Sequence, residues 1–287
     1  MSPQSRFFTS ERLNLHYLVW GDESKPPILL VHGTHDHARS WDQTAEALTD
    51  RYCVYAPDLR GHGDSQWSLG GNYSIIDYAI DMHAFGEAVG RAPYDMIAHS
   101  LGGSIALEYM GAFPEKVRRL VNIEGLGGAA WAASLTPRPA HVRMRKWIER
   151  MRDLEQRKAH VYPTIDEAAE RMLEANKHLT KEMAHHLTVH GSRQVEGGYA
   201  WKYDNFTRAG SPYDFNGEDA RDLWNQIRSP ILFIWGETSF GRRFAENPLD
   251  LSAFHNYRLE QIADAGHWVQ HDQFETFIRL TNEFLSG

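Results

Sequence analysis

An apolar run that ends abruptly at a serine constrains the fold of this 287-residue chain more than any other feature. Tyr94-Asp95-Met96-Ile97-Ala98-His99 reads as a strand, Ser100 ends it, and Leu101-Gly102-Gly103-Ser104-Ile105-Ala106-Leu107 starts a helix at once. Ala98 and Gly102 stand two positions to either side of Ser100. A serine at the apex of so sharp a strand-to-helix turn sits on strained backbone, and only small neighbours let strand and helix approach closely. That is the logic of the G-x-S-x-G nucleophile elbow, with alanine in the first small position. A serine that merely caps a helix gives the same local pattern. The elbow reading therefore requires a base, an acid and an oxyanion hole from the rest of the chain.

The elements around the elbow alternate. Ile28-Leu29-Leu30-Val31 is a continuous apolar run that stops at His32-Gly33, as in a strand buried on both faces. Leu13 to Trp20 alternates loosely before Gly21-Asp22, which predicts an edge strand ending in a turn. Residues 38–49 read as a helix, Tyr52 to Ala56 as a strand ended by Pro57, and Ser74 to Val89 as a helix with Ser74 as N-cap and Asp77 at N3. Val117 to Glu124, Ile231 to Trp235 and Tyr257 to Ile262 supply further strands, and residues 273–285 a last helix. Strands alternating with helices predict a parallel sheet covered by helices on both faces.

Residues 126–228 break the alternation. They contain no buried-strand run, show helix-like segments near 139–158, 164–177 and 180–189, and are rich in aromatics, among them Trp131, Trp147, Tyr199, Trp201, Tyr203 and Phe206. The pattern predicts an all-helical insertion over the strand ends, a lid.

Composition narrows the function classes. A formal charge of −8 with no Lys/Arg stripe excludes a nucleic-acid partner. The locally basic stretch 138–158 is interleaved with acids and reads as a solvated helix face. The single cysteine, Cys53, lies in an apolar run and reads as a packing residue; it permits a reducing compartment. The N-terminal residues lack a signal peptide's apolar core and no run reaches membrane-span length, so a soluble, cytoplasmic protein is expected. His32-Gly33-Thr34-His35-Asp36-His37 misses metal-site spacing and reads as solvent-exposed loop histidines, so neither metal nor other cofactor is expected. Asp58, Arg60 and Asp64 are expected to hold the loop after residue 57 by local hydrogen bonds.

His267 supplies the base. It follows the last strand, in Asp264-Ala265-Gly266-His267-Trp268, and loops at the C-terminal ends of strands are where α/β sheets present chemistry. An oxyanion hole needs two backbone N–H groups aimed at the developing charge. Leu101, next after the serine, supplies one; Thr34, just past the turn at Gly33, supplies the other. His99, Trp131 and Trp268 are candidate substrate-pocket residues.

With these pieces in place the chain resembles the α/β-hydrolase superfamily, in its cap-bearing esterase, lipase and dehalogenase-like branch. The resemblance rests on His32-Gly33, Ser40-Trp41-Asp42, Ala56-Pro57-Asp58-Leu59-Arg60-Gly61-His62-Gly63-Asp64-Ser65, His99-Ser100-Leu101-Gly102-Gly103, Ile234-Trp235-Gly236-Glu237 and Ala265-Gly266-His267-Trp268, in the family's order. It implies a mostly parallel eight-stranded sheet with helices on both faces, a core of residues 1–125 and 229–287, and a mainly helical cap over 126–228. One departure matters. The family's usual acid follows strand 7 as Gly-x-x-Asp, and here that position reads Gly236-Glu237-Thr238-Ser239. Some relatives place the acid after strand 6 instead, and Glu124 stands there, ahead of Glu237 as rival and of Asp214 and Asp219 as outsiders. A structural carboxylate capping a turn is the plainer reading of Glu124.

The resemblance implies hydrolysis of a small to medium, apolar carboxylic ester through an acyl-enzyme, with Ser100, His267 and Glu124 as triad. The serine argues against haloalkane dehalogenase and epoxide hydrolase, whose relatives attack with aspartate. A C–C bond hydrolase, a lactonase and a cofactor-free perhydrolase run on the same residues. A weakly catalytic small-ligand receptor also keeps the serine and histidine.

Overall fold

The computed structural model describes residues 2–71, 73–126, 139–213, 216–239 and 251–287. Eight strands form one sheet: β1 (Gln4–Ser10), β2 (Leu13–Trp20), β3 (Pro27–Val31), β4 (Cys53–Pro57), β5 (Tyr94–His99), β6 (Val117–Ile123), β9 (Ile231–Gly236) and β10 (Tyr257–Ile262). Their spatial order is β1-β2-β4-β3-β5-β6-β9-β10. The pairs β1/β2 and β2/β4 are antiparallel and the remainder parallel.

Helices α1 (Asp42–Leu48), α2 (Ile75–Val89), α3 (Leu101–Ala112), α8 (Val269–Asp272) and α9 (Phe274–Ser286) belong to this layer system. Two apolar clusters lie on opposite faces of the sheet. One gathers Leu29, Val31, Met96 and Ala98 with the α2 and α3 residues Phe85 and Ile105. The other gathers Ile28, Leu30 and Ile97 with Trp41, Phe277 and Leu280. Alternate residues of a single strand thus feed opposite faces, which is why β3 and β5 read as unbroken apolar runs. Ser74 caps α2 as its sequence predicts, with Asp77 completing the capping box.

Three expectations change. Leu13–Trp20 is not an edge strand: β1 lies outside it, and β1's mostly exposed, polar sequence concealed a strand that protects the sheet's end. The segment between β6 and β9 is not all-helical. It carries α4 (Ala140–Gln156), α5 (Ile165–Ala175), α6 (Lys181–Gly191) and α7 (Gly217–Trp224), and also the antiparallel hairpin β7 (Ser192–Val195) and β8 (Gly198–Trp201). These four-residue strands are too short to give a period-2 signal. The loop histidines are not solvent-exposed: His32 and His37 are buried. His32 bonds the Gly33 carbonyl at 2.7 Å and accepts from the Leu59 N–H at 3.0 Å, tying two loops together beneath the site.

The loop after β4 is held over long range as much as locally. Buried Asp58 accepts from the N–H groups of Ala38 (2.7 Å) and Asp64 (2.9 Å) and pairs with His16 (2.7 Å). Arg60 reaches Asp81 and Glu11, and Asp64 pairs with Lys202 of the inserted segment at 2.8 Å.

Candidate active site

Among the described residues, the non-glycine residues with positive φ are Glu11, His35, Ser100, Glu124 and Asp264. The last four all lie just beyond the C-terminal ends of parallel strands: β3, β5, β6 and β10. Such backbone is costly for a side chain and clusters where function holds it. Ser100 has φ 51° and ψ −117°, between β5 and α3. The turn is possible because Gly102 has no side chain: a Cβ there would lie 2.5 Å from the Val31 carbonyl oxygen and 2.6 Å from that of His32.

The turn aims Ser100 Oγ at His267 Nε2, 2.9 Å away. On the other side of the ring, His267 Nδ1 lies 3.0 Å from Glu124 Oε2. The Glu124 side chain is 1% exposed, so its charge faces the imidazole with little screening. Its oxygens also accept from the Gly236 N–H at 2.8 Å and the Ser239 hydroxyl at 2.7 Å. One side chain thus caps the turn at Gly236 and Ser239 and faces the imidazole. Ser239, standing where an aspartate is usual, donates to the Glu124 carboxylate at the end of the neighbouring strand. Glu237 is exposed, and its contact in this region is the Asp264 N–H at 3.4 Å. Asp219 is exposed on α7, and Asp214 lies outside the described residues.

The His267 loop is held from several directions. Thr238 bonds the Ala265 carbonyl at 2.9 Å through its hydroxyl, Asp272 accepts from the Gly266 N–H at 2.8 Å, and His99 Nε2 donates to the His267 carbonyl at 2.9 Å. His99 is therefore no pocket residue. It is buried beneath the site, and burial together with the neighbouring His267 holds its pKa well below the ordinary value, leaving a neutral ring that steadies the loop. Trp268 packs edge-on against His267 at 5.3 Å. Trp131 lies outside the described residues.

Leu101 is the first residue of α3, where a helix N–H has no intrahelical acceptor. Thr34 lies exposed in the turn after β3. A Cβ on Gly33 would come 3.0 Å from Ser100 Cβ, so this turn rests directly on the elbow.

A cavity of about 910 Å³ opens beside these groups. Thr34 and Trp268 bring it to the elbow, Trp201, Tyr203 and Leu187 give it apolar walls, and Arg157, Lys158, Arg171 and Arg208 place cations around it. Two lining residues escaped the sequence reading. His35 and His271 each bury an Nε2 that has no hydrogen-bond partner among the described residues, and burial pushes their pKa values down to about 3 and about 4. Both are neutral rings that line the cavity with other atoms while Nε2 is turned away from it. The signal that would have found them is tertiary: the strained φ of His35 and its stacking on Tyr203 at 4.2 Å.

The sequence model of the alpha/beta hydrolase fold matches residues 26–274. The chain belongs to the alpha/beta hydrolase fold family. This alpha/beta hydrolase is 26% identical over 299 residues to epoxide hydrolase 1 of Caenorhabditis elegans, spanning 98% of the chain and 70% of the relative. It is 25% identical to a serine hydrolase-like protein of Danio rerio, over 79% of the chain and 69% of the relative. The thioesterase domain from the curacin biosynthetic pathway superposes with a TM-score of 0.87 over 98% of the chain and 99% of that domain, at 20% identity. The chain is thus a hydrolase by family. No helix among the described residues is long and apolar enough to cross a membrane.

Proposed function

We propose that this alpha/beta hydrolase cleaves carboxylic esters through an acyl-enzyme on Ser100. The observation that carries the reading is the continuous hydrogen-bond chain Ser100–His267–Glu124. An imidazole so placed takes the hydroxyl proton as Oγ attacks the carbonyl, while a carboxylate on its other nitrogen fixes the tautomer and stabilises the imidazolium. The N–H groups of Leu101 and Thr34 receive the oxyanion. His267 then protonates the leaving alcohol, and water attacks the acyl group by the reverse path.

The similarity to an epoxide hydrolase is weighed against the nucleophile. A serine that opened an epoxide would be left as an ether, which water cannot remove under these conditions. A serine acyl ester is itself open to water. Ser100 therefore favours acyl transfer.

Residues 126–228 act in this reading as the cap, since the cavity takes lining from both the core turn at Thr34 and the inserted segment. The aromatic walls suit an apolar acyl or alcohol group. The four cations extend the earlier apolar expectation: the substrate carries a polar or anionic end. Its one cysteine, Cys53, is buried and free, which permits a reducing compartment.

The test is a panel of p-nitrophenyl esters of graded acyl length, assayed with wild type and Ser100→Ala. Turnover that vanishes with Ser100→Ala supports the proposal. Fluorophosphonate labelling of Ser100 without turnover of any ester would favour a ligand receptor instead.

A further inference from the structure

We propose that Asp42, His186 and His190 form a binding site for a divalent transition metal, zinc being the best fit, which joins the core to the inserted segment. Asp42 opens α1 of the core, and His186 and His190 stand one helical turn apart on α6, so both imidazoles project from one face. One ligand atom from each of the three lies within 4.8 Å of the others, and His186 Nε2 is 3.1 Å from Asp42 Oδ2. Tetrahedral zinc with ligand bonds of about 2.0–2.2 Å holds its ligands about 3.4 Å apart, so the widest pair must close by at most about 1.4 Å. All three side chains are only half-buried, which gives them room to do so.

The geometry separates this cluster from an ordinary surface ion pair. Asp42 Oδ1 is buried and has no hydrogen-bond partner among the described residues, although Oδ2 is engaged by Arg39 at 2.7 Å. Burying half a carboxylate unpaired is costly unless something else takes its lone pairs. His190 is joined to the pair by geometry: its ring lies 4.7 Å from that of His186, edge to face, on the same side of α6. Two imidazoles and one carboxylate select zinc and its neighbours over calcium or magnesium. Three protein ligands leave a fourth position for water. His186 Nε2 now lies 3.1 Å from Asp42 Oδ2 and 3.2 Å from the Arg39 carbonyl, contacts that a bound metal replaces.

The site has a mechanical consequence. Leu187, next to His186 on α6, lines the cavity and accepts from His37 Nε2 at 2.9 Å through its carbonyl. A metal held between α1 and α6 fixes that wall. The inference does not depend on which bond the enzyme cleaves.

The experiment is calorimetric titration of the full chain with zinc chloride, with cobalt(II) absorption as a second readout, for wild type, His186→Gln, His190→Gln and Arg39→Met. Matching thermal unfolding without metal establishes that each variant is folded. Wild type is expected to bind one zinc and to give the intense visible bands of tetrahedral cobalt. Each histidine variant should weaken binding by more than about tenfold. Arg39→Met, which frees Asp42 of its competitor, should tighten it. Zinc uptake unchanged in both histidine variants, or no uptake by wild type at millimolar zinc, overturns the proposal.

Discussion

Replacing Glu124 by glutamine removes one charge and leaves the volume unchanged. The amide oxygen can still accept from Gly236 N–H, as Oε1 does now at 2.8 Å. The amide NH₂ then falls where Oε2 receives both His267 Nδ1 and the Ser239 hydroxyl. The serine hydroxyl can rotate and accept, but Nδ1–H cannot donate to an NH₂. The ring resolves the conflict by moving its proton to Nε2, which then points a hydrogen at Ser100 Oγ and can no longer take its proton. Wrong-tautomer variants of serine triads lose about 10⁴ in kcat, which is roughly 5.4 kcal/mol of barrier. The assay is steady-state hydrolysis of a p-nitrophenyl ester, with Glu237→Gln beside it. Glu237 is exposed and outside the chain of bonds, so its variant should stay within about twofold of wild type, as surface changes usually do. A Glu124→Gln enzyme that is folded and keeps a tenth or more of wild-type kcat would refute the assignment of the acid.

Ser239→Ala should cost about 1.5–3 kcal/mol of stability, the worth of a hydrogen bond to a charged group, and lower kcat by about tenfold, read from urea denaturation and ester turnover. Gly102→Ala forces a Cβ onto two backbone carbonyls and should destabilise by about 1–3 kcal/mol or more, with loss of activity, measured as a fall in the urea midpoint. The buried rings of His32 and His62 have pKa values pushed down to about 3 and about 4 by burial, so below the ordinary histidine value the unfolded chain binds more protons than the folded one. Their contribution is complete above pH ~6.5 and is lost as pH falls from there through the folded values. His62→Gln should therefore reduce the slope of unfolding free energy against pH between about 6.5 and 4 by close to one proton. Asp58 runs the other way in chemistry but the same way in sign. Burial works to raise its pKa and is outweighed by the His16 hydrogen bond and charge, so it is held well below the ordinary carboxylate range. Asp58→Asn should flatten the stability loss that wild type shows below about pH 4.

The parallel sheet was legible because its strands are buried on both faces, and unbroken apolar runs such as Ile28 to Val31 have few other uses. β1 was not, since it presents Gln4, Ser5 and Arg6 to solvent and is a strand only because β2 pairs with it. Ser100 and His267 could be located from chain order alone, because the family's loops bring successive strand ends together. The placement of Glu124 needed a chemical argument from absence, that serine at 239 holds no charge, and only the folded chain reveals that Ser239 donates to that glutamate. His99 misled because it ends β5 beside the nucleophile, yet its ring is buried 4.8 Å from that of His267 and is spent on that loop's carbonyl. His35 and His271 left no local signature at all. Their place beside the cavity is set by the inserted segment, whose Leu187, Trp201 and Tyr203 form the facing wall.

The acyl-enzyme itself is the central claim, and trapping it is the most direct measurement. Wild type is mixed with a p-nitrophenyl ester, quenched in acid within the first turnovers, digested and read by mass spectrometry. The account predicts the acyl mass on the peptide carrying Ser100, its disappearance as turnover completes, and neither acyl mass nor p-nitrophenol burst in Ser100→Ala. An ester hydrolysed at the wild-type rate by Ser100→Ala, or an acyl group found on another residue, would contradict it.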